Sequence, residues 1–259
     1  MPSVSASLRQ ACLRAAAVQR RVQERHLTSA RLQDQYAARL RAWLRRSGEA
    51  ERQPVFTDAV AGAIGMPSAT VILLGAQRRE GVIAASDAVA RAAYDLEFVL
   101  GEGPARLAVA NGQAVQAAGT AVRDRWPQYG PAVARLGVQA VVAVPLQPPA
   151  GLGAVCGYDR LAVVSEQVAV AAGQVADALP LMLSQAADGS RRGDGVPGLP
   201  LFGEADVPAV VHQAAGMVSQ QCECGISDAL ALLRARAFSA GRPAEEIAAE
   251  VVHDGLRLR

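Results

Sequence analysis

The sequence contains no lysine: all 26 of its Lys-or-Arg positions are arginine. A Gly-x-x-x-x-Gly-Lys phosphate loop is therefore impossible. Histidine is almost as scarce. His26, His212 and His253 all lie outside residues 54–188. That stretch has no histidine general acid–base centre. The four cysteines are Cys12, Cys156, Cys222 and Cys224, and a reducing compartment keeps them as thiols. Cys222-Glu223-Cys224 has the wrong spacing for a zinc knuckle, with His212 alone nearby. Gly151-Leu152-Gly153 is followed by Cys156 where a dinucleotide fingerprint needs a third glycine, so it is turn chemistry. No metal, no cofactor and no catalytic residue are expected.

Long apolar runs are missing too. No stretch reaches the roughly 18 uninterrupted apolar residues of a membrane span. Arg9, Arg14, Arg20, Arg21 and Arg25 interrupt any signal-peptide core. A cytoplasmic location with no membrane partner is expected. The 259 residues are 51% hydrophobic and 19% charged with a net charge of +2, ordinary values for a globular protein. The charge is uneven. Residues 1–53 carry eleven arginines against four acids, residues 54–205 ten against thirteen, and residues 206–259 five against seven.

Residues 4–46 hold no glycine or proline and are rich in Ala, Arg, Leu and Gln, which predicts one long helix. Alternate steps of three and four from Leu8 trace a near-heptad seam through Val18, Val22, Leu32 and Tyr36, broken at Arg25 and Ser29. Such a helix either packs on its own domain or dimerises as a coiled coil. A homodimer that buries Val18, Val22, Leu32 and Tyr36 is the expectation. Ser47-Gly48 ends the helix.

From Pro54 the texture changes. Short helices are predicted over 54–64, 87–99 (with Ser86 as cap) and 104–110, and 125–136 is mostly helical. A longer helix is predicted over 163–184. Strands are predicted over 69–74, 81–85, 114–117, 138–145 and 152–158, the last two joined across Pro148-Pro149-Ala150-Gly151. Strands interleaved with helices and closed by a hairpin predict an α/β (α+β) domain over residues 54–188, an antiparallel sheet with flanking helices. Glu102, between Gly101 and Gly103, is either functional or a turn acid. Residues 189–205 have linker composition. Residues 206–259 predict a three-helix bundle. Asp206 caps the first helix, which runs to about Gln221. The second starts near Gly225–Ser227 and ends at Gly241. Pro243 opens the third, with Glu245 and Glu246 in its first turn and Ile247, Val251 and Val252 facing inward.

Two stretches resemble known families. Leu100-Gly101-Glu102-Gly103-Pro104, Arg125-Trp126-Pro127, Gly137-Val138, Val144-Pro145-Leu146 and Leu152-Gly153 follow the order seen in GAF sensor domains of actinobacterial regulators. The resemblance implies a sheet of six or so antiparallel strands with helices on both sides, which binds a small molecule or dimerises. Ala105 stands where relatives often carry Cys. Methionine-sulfoxide reduction, known in some GAF proteins, needs an attacking and a resolving thiol, and this region holds Cys156 alone.

The second stretch is His212-Gln213-Ala214-Ala215-Gly216-Met217-Val218, Asp228-Ala229-Leu230, Leu233 to Phe238, Gly241-Arg242-Pro243, Ile247-Ala248 and Val251-Val252. It is similar to the ANTAR domain. ANTAR modules are three-helix RNA binders that stabilise an antiterminator hairpin pair in nascent mRNA, and a GAF domain followed by ANTAR is a familiar pairing. The resemblance implies a signal-responsive antitermination regulator. The candidate RNA contacts are Gln213, Arg234, Arg236 and Arg242. Ala215 and Gly225 depart from residues common in that family. With a net charge of −2, the module has to bind RNA through a local basic face. The competing assignment is a non-enzymatic sensor or scaffold that acts through protein partners, with the C-terminal bundle as a docking element.

Overall fold

A computed structural model describes residues 4–45, 53–74, 80–146, 152–190 and 209–258. Helix α1 (Val4–Arg45) is the long N-terminal element and α2 (Phe56–Ile64) follows it. Strands β1 (Ser68–Leu74), β2 (Glu80–Ala85), β3 (Val115–Ala118), β4 (Ala140–Pro145) and β5 (Leu152–Asp159) form one antiparallel sheet in the order β2-β1-β5-β4-β3. Helices α3 (Ala88–Leu100), α4 (Pro104–Asn111), α5 (Thr120–Arg125) and α6 (Tyr129–Arg135) lie between the strands in sequence. Helix α7 (Glu166–Ser190) follows the sheet. Helices α8 (Ala209–Cys222), α9 (Ile226–Ala240) and α10 (Ala244–His253) make the C-terminal bundle. This is a mixed α+β architecture, an antiparallel sheet with flanking helices, an N-terminal helix and a C-terminal three-helix module. The sheet has five strands among the described residues, where the resemblance implied six or so.

Alternation along the strands gives the sheet two different faces. Val71, Val142 and Val155 point into one core with Phe56, Val60, Leu179 and Met182 of α2 and α7. Ile72, Val141, Ala154, Cys156 and Tyr158 point into the other, with Ala93, Phe98 and Ala108 of α3 and α4. At Gly157 the chain has no room for a side chain: a Cβ there would lie 2.5 Å from the Met66 sulfur.

Helix α1 divides where its seam breaks. Leu32 is fully buried in the first core and the Tyr36 ring meets Phe56 edge-on at 5.9 Å. Both pack within their own chain, so neither is available to a dimer seam. The reason is that α1 from Arg25 onward lies against α2 and α7, tethered by Arg21 and Arg25 on Asp177 at 2.9 and 3.7 Å. From Ser7 to Glu24 every residue is exposed. Val18 is 63% and Val22 44% accessible, so their part of the seam has no cover among the described residues.

Other boundaries moved for local reasons. The cap of α3 is Asp87, whose carboxylate accepts from the Ala90 N–H at 2.8 Å; the Ser86 hydroxyl instead accepts from the Ala69 N–H at 2.9 Å. Trp126–Gln128 separates α5 from α6 within the stretch expected to be mostly helical. Gly189 and Ser190 belong to α7. The rest of the 189–205 stretch, the Pro148–Gly151 turn, Ser47-Gly48, and the Asp206 cap with Pro208 lie outside the described residues.

Candidate functional site

The apolar stripe of α3 contains Ala90, Ala93, Tyr94, Phe98 and, in its middle, Glu97. Glu97 is 2% exposed and is the only buried carboxyl among the described residues. Its oxygens accept from the backbone N–H groups of Ala105 at 3.3 Å and Arg106 at 2.6 Å, so it occupies the start of α4. Favourable interaction with a helix N-terminus explains how a carboxylate survives there. Burial still dominates and raises its acid pKa to about 7, against the downward pull of the two N–H groups and Arg106. Beside it lies a cavity of about 280 Å³, walled by Ile72 and Ala154 of the sheet, Tyr94 and Phe98 of α3, and Ala105 of α4. Exposed Gly101 and Ala110 mark its mouth.

The turn before α4 is built around Glu97. Gly101 has φ 70° and closes α3 by donating to the Glu97 carbonyl at 3.1 Å. A Cβ on Gly103 would fall 2.5 Å from the Glu97 side chain. Pro104 sits at the first position of α4, where a missing N–H costs nothing. Glu102 is a cap: its Oε1 accepts from the backbone N–H groups of Gln128 at 2.6 Å and Tyr129 at 2.8 Å, tying the turn to α6. The Gly-Glu-Gly-Pro run thus has a structural account at every position.

Cys156 is fully buried beneath this helical layer, paired in register with Thr70. Burial and nearby Glu97 push its thiol far above the usual range, so it is a poor nucleophile. Burial likewise raises the phenols of Tyr129 and Tyr158. The Tyr158 hydroxyl shares a 3.3 Å hydrogen bond with Thr70.

In the C-terminal module, Ala214, Val218, Leu233, Ala237, Ile247 and Val251 form the bundle core; Val252 is half-buried. The residues expected to touch RNA are spread out. Gln213 is exposed on α8 and Arg236 is exposed on α9. Arg234 stands roughly 200° around α9 from Arg236, since residues two apart do not share a helix face. Its guanidinium lies over the Phe98 ring at 4.6 Å. Arg242 is bonded to Glu246 at 3.0 Å and Glu250 at 2.6 Å along α10. Arg91 of α3 forms an ion pair with Glu245, a second tie between the α/β domain and the module. Between α3, α6 and the end of α9 runs a second cavity of about 550 Å³, bordered by Leu96, Val99, Leu136, Phe238 and Pro243. Cys222 donates to the Leu258 carbonyl at 2.8 Å, a packing role. Among the described residues no three His, Cys, Asp or Glu side chains gather as a ligand set.

Glu97 is not among the candidate residues of the sequence. Its signal was nevertheless present: three and four residues from Tyr94 and Ala93, it falls in the centre of an apolar stripe where a carboxyl is out of place.

No protein-family model matches the chain, and no curated protein matches it. Among solved structures, the phycocyanobilin-bound GAF domain of a cyanobacterial phytochrome is 16% identical, covering 62% of this chain and 98% of that one, with a TM-score of 0.39. A domain assigned to a two-component sensor histidine kinase protein of Sinorhizobium meliloti 1021 is 14% identical, covering 53% of this chain and 92% of that one, with a TM-score of 0.38. Escherichia coli SdiA is 12% identical, covering 78% of this chain and 89% of that one, with a TM-score of 0.36. Likeness at this level says nothing about function. No helix among the described residues is long and apolar enough to cross a membrane.

Proposed function

We propose that the chain is a non-enzymatic, cytoplasmic regulator in which the GAF-like domain receives a small-molecule signal and the ANTAR-like module binds hairpin RNA in nascent mRNA. The observation that carries this reading is the shared use of α3. Its Tyr94, Glu97 and Phe98 wall the sensor cavity, while Phe98 and Arg91 hold Arg234 and Glu245 of the module. A ligand that moves α3 therefore changes the surroundings of Arg234, a candidate RNA contact. Occupancy of the cavity and exposure of Arg234 are one equilibrium, and a ligand shifts it by its differential affinity for the two arrangements.

A second reading has an observation of its own. The module has a net charge of −2 and Arg242, in the turn before α10, is held by two glutamates of that helix, which favours a docking element for a protein partner. RNA affinity separates the two. Fluorescence anisotropy with a paired-hairpin leader RNA should give binding that weakens steeply with salt, as counterion release requires. Changing Arg234, Arg236 and Arg242 together to Ala should reduce affinity by about tenfold or more with helicity intact. Unchanged binding in the triple variant would move the RNA site elsewhere. No binding by the parent would leave the docking element as the function of the module.

A further inference from the structure

We propose that the cavity beside α3 and α4 takes a small organic cation, an apolar body of about one aromatic ring carrying a protonated amine or amidine, with Glu97 as its counter-ion. The proposal rests on the assignment of residues 54–188 as a sensor domain and names the chemical class of its signal.

The anion position in this cavity is already occupied. The start of α4 offers N–H groups that would hold a ligand carboxylate or phosphate. Ala105 and Arg106 already donate theirs to Glu97. An anion entering the cavity meets a carboxylate in place of free donors. Glu97 in turn has acceptor capacity left over. A carboxylate has about four acceptor positions, and the two backbone N–H groups fill half of them. Buried to 2% exposure, Glu97 gains from a further donor, above all a charged one, because an ionised group in such a site is costly until paired.

Tyr94 and Phe98 present aromatic rings next to the carboxyl, and Ile72 and Ala154 close the floor. Aromatic faces attract cations and tolerate apolar bodies. At about 280 Å³ the space lies just below the usual range of small-molecule pockets, which limits the body to one ring and a short arm. Phe98 already holds one organic cation, the Arg234 guanidinium, at 4.6 Å. Arg106 also borders the cavity, so an anion has one feature in its favour, and the experiment has to weigh it.

The test is calorimetric titration of the full chain with three near-isosteric probes: phenethylamine, phenethyl alcohol and phenylacetate. It is run at a pH above the Glu97 value of about 7 and below the amine's own. The amine should bind about tenfold or more tighter than the alcohol, and phenylacetate weakest. Glu97→Gln should abolish the amine's advantage while the alcohol binds as before. Ala110→Phe, at the exposed mouth, should weaken all three together without loss of fold, which places them in this cavity even if Glu97→Gln folds poorly. Preference for phenylacetate would hand the site to Arg106 and overturn the proposal. So would an amine preference that survives Glu97→Gln, or no binding of any probe. RNA takes no part in these titrations. Amine binding by a chain that ignores RNA would retire the RNA reading alone, and the converse would retire this one alone.

Discussion

Along β5, Val155 turns toward α2 and α7, while Ala154, Cys156 and Tyr158 turn toward α3 and α4. The first face meets side chains that fill it: Phe56, Val60, Leu179 and Met182, with Leu32 of α1 laid across them. The second meets a layer that holds a buried carboxyl and leaves a void beside it. Both faces are built from the same strands by the same alternation. They differ in what their helices bring. A helix selected for stability fills its stripe with apolar volume; α3 spends a central stripe position on Glu97. Burial of an ionisable group with room next to it is a poor way to stabilise a domain and a good way to hold a ligand.

The largest expected effect tests the filled face. Phe56→Ala removes a fully buried ring that meets Tyr36 edge-on and should cost about 3–5 kcal/mol in urea unfolding. The same truncation at Phe98, whose ring already borders a void, should cost less, even with the loss of its contact to Arg234. Equal costs would mean that the two faces are packed alike and that the comparison has no energetic content.

The next effect belongs to Glu97. Its folded pKa of about 7 lies above the ordinary 4.5. In that interval the folded chain holds a proton that the unfolded chain has released. The contribution of Glu97 is then fully present below about pH 4.5 and is lost as pH rises through 7. The total is at most about 3–4 kcal/mol, from 1.36 kcal/mol per pKa unit over the interval from 4.5 to about 7. Glu97→Gln should flatten this part of the stability–pH curve. A curve of the same slope in the variant would place the titration at some other group.

Most of the fold was legible in the sequence. β-Branched runs such as Ala69–Leu74 became strands and the glycines at 101 and 241 became left-handed helix ends, because those preferences are local. The cap of α3 shifted by one residue because Ser86 and Asp87 are both competent and tertiary partners chose between them. The functional residues were harder to read. Arg234, Arg236 and Arg242 are close in sequence and form no common face, since helix geometry turns the first two apart and local acids hold the third. What each arginine meets depends on where the module docks, and one-dimensional spacing does not encode that. Glu102 looked like a candidate because it lies between glycines, yet it caps α6; Glu97, five residues earlier, looked like an ordinary helical acid.

The smallest expected effect on stability comes from the exposed end of α1, and it carries the most information about assembly. Residues 7–24 touch nothing that buries them, whereas Leu32 lies in the core. Removing residues 1–47 would strip the core of Leu32 and confuse unfolding with dissociation. Removing residues 1–24 separates them. The unfolding midpoint should hardly move, because Ser29, Leu32 and Tyr36 remain in place. The exposed seam of Leu8, Ala11, Ala15, Val18 and Val22 has the spacing of a coiled-coil face, which a second copy would cover. Loss of that seam should halve the mass in solution scattering. With the dimer gone, two modules no longer raise each other's effective concentration on a paired-hairpin RNA, so RNA affinity should fall although each module is unchanged. If the mass stayed the same and the midpoint held, the seam would be uncovered in solution as well, and any dimer would have to form through another surface.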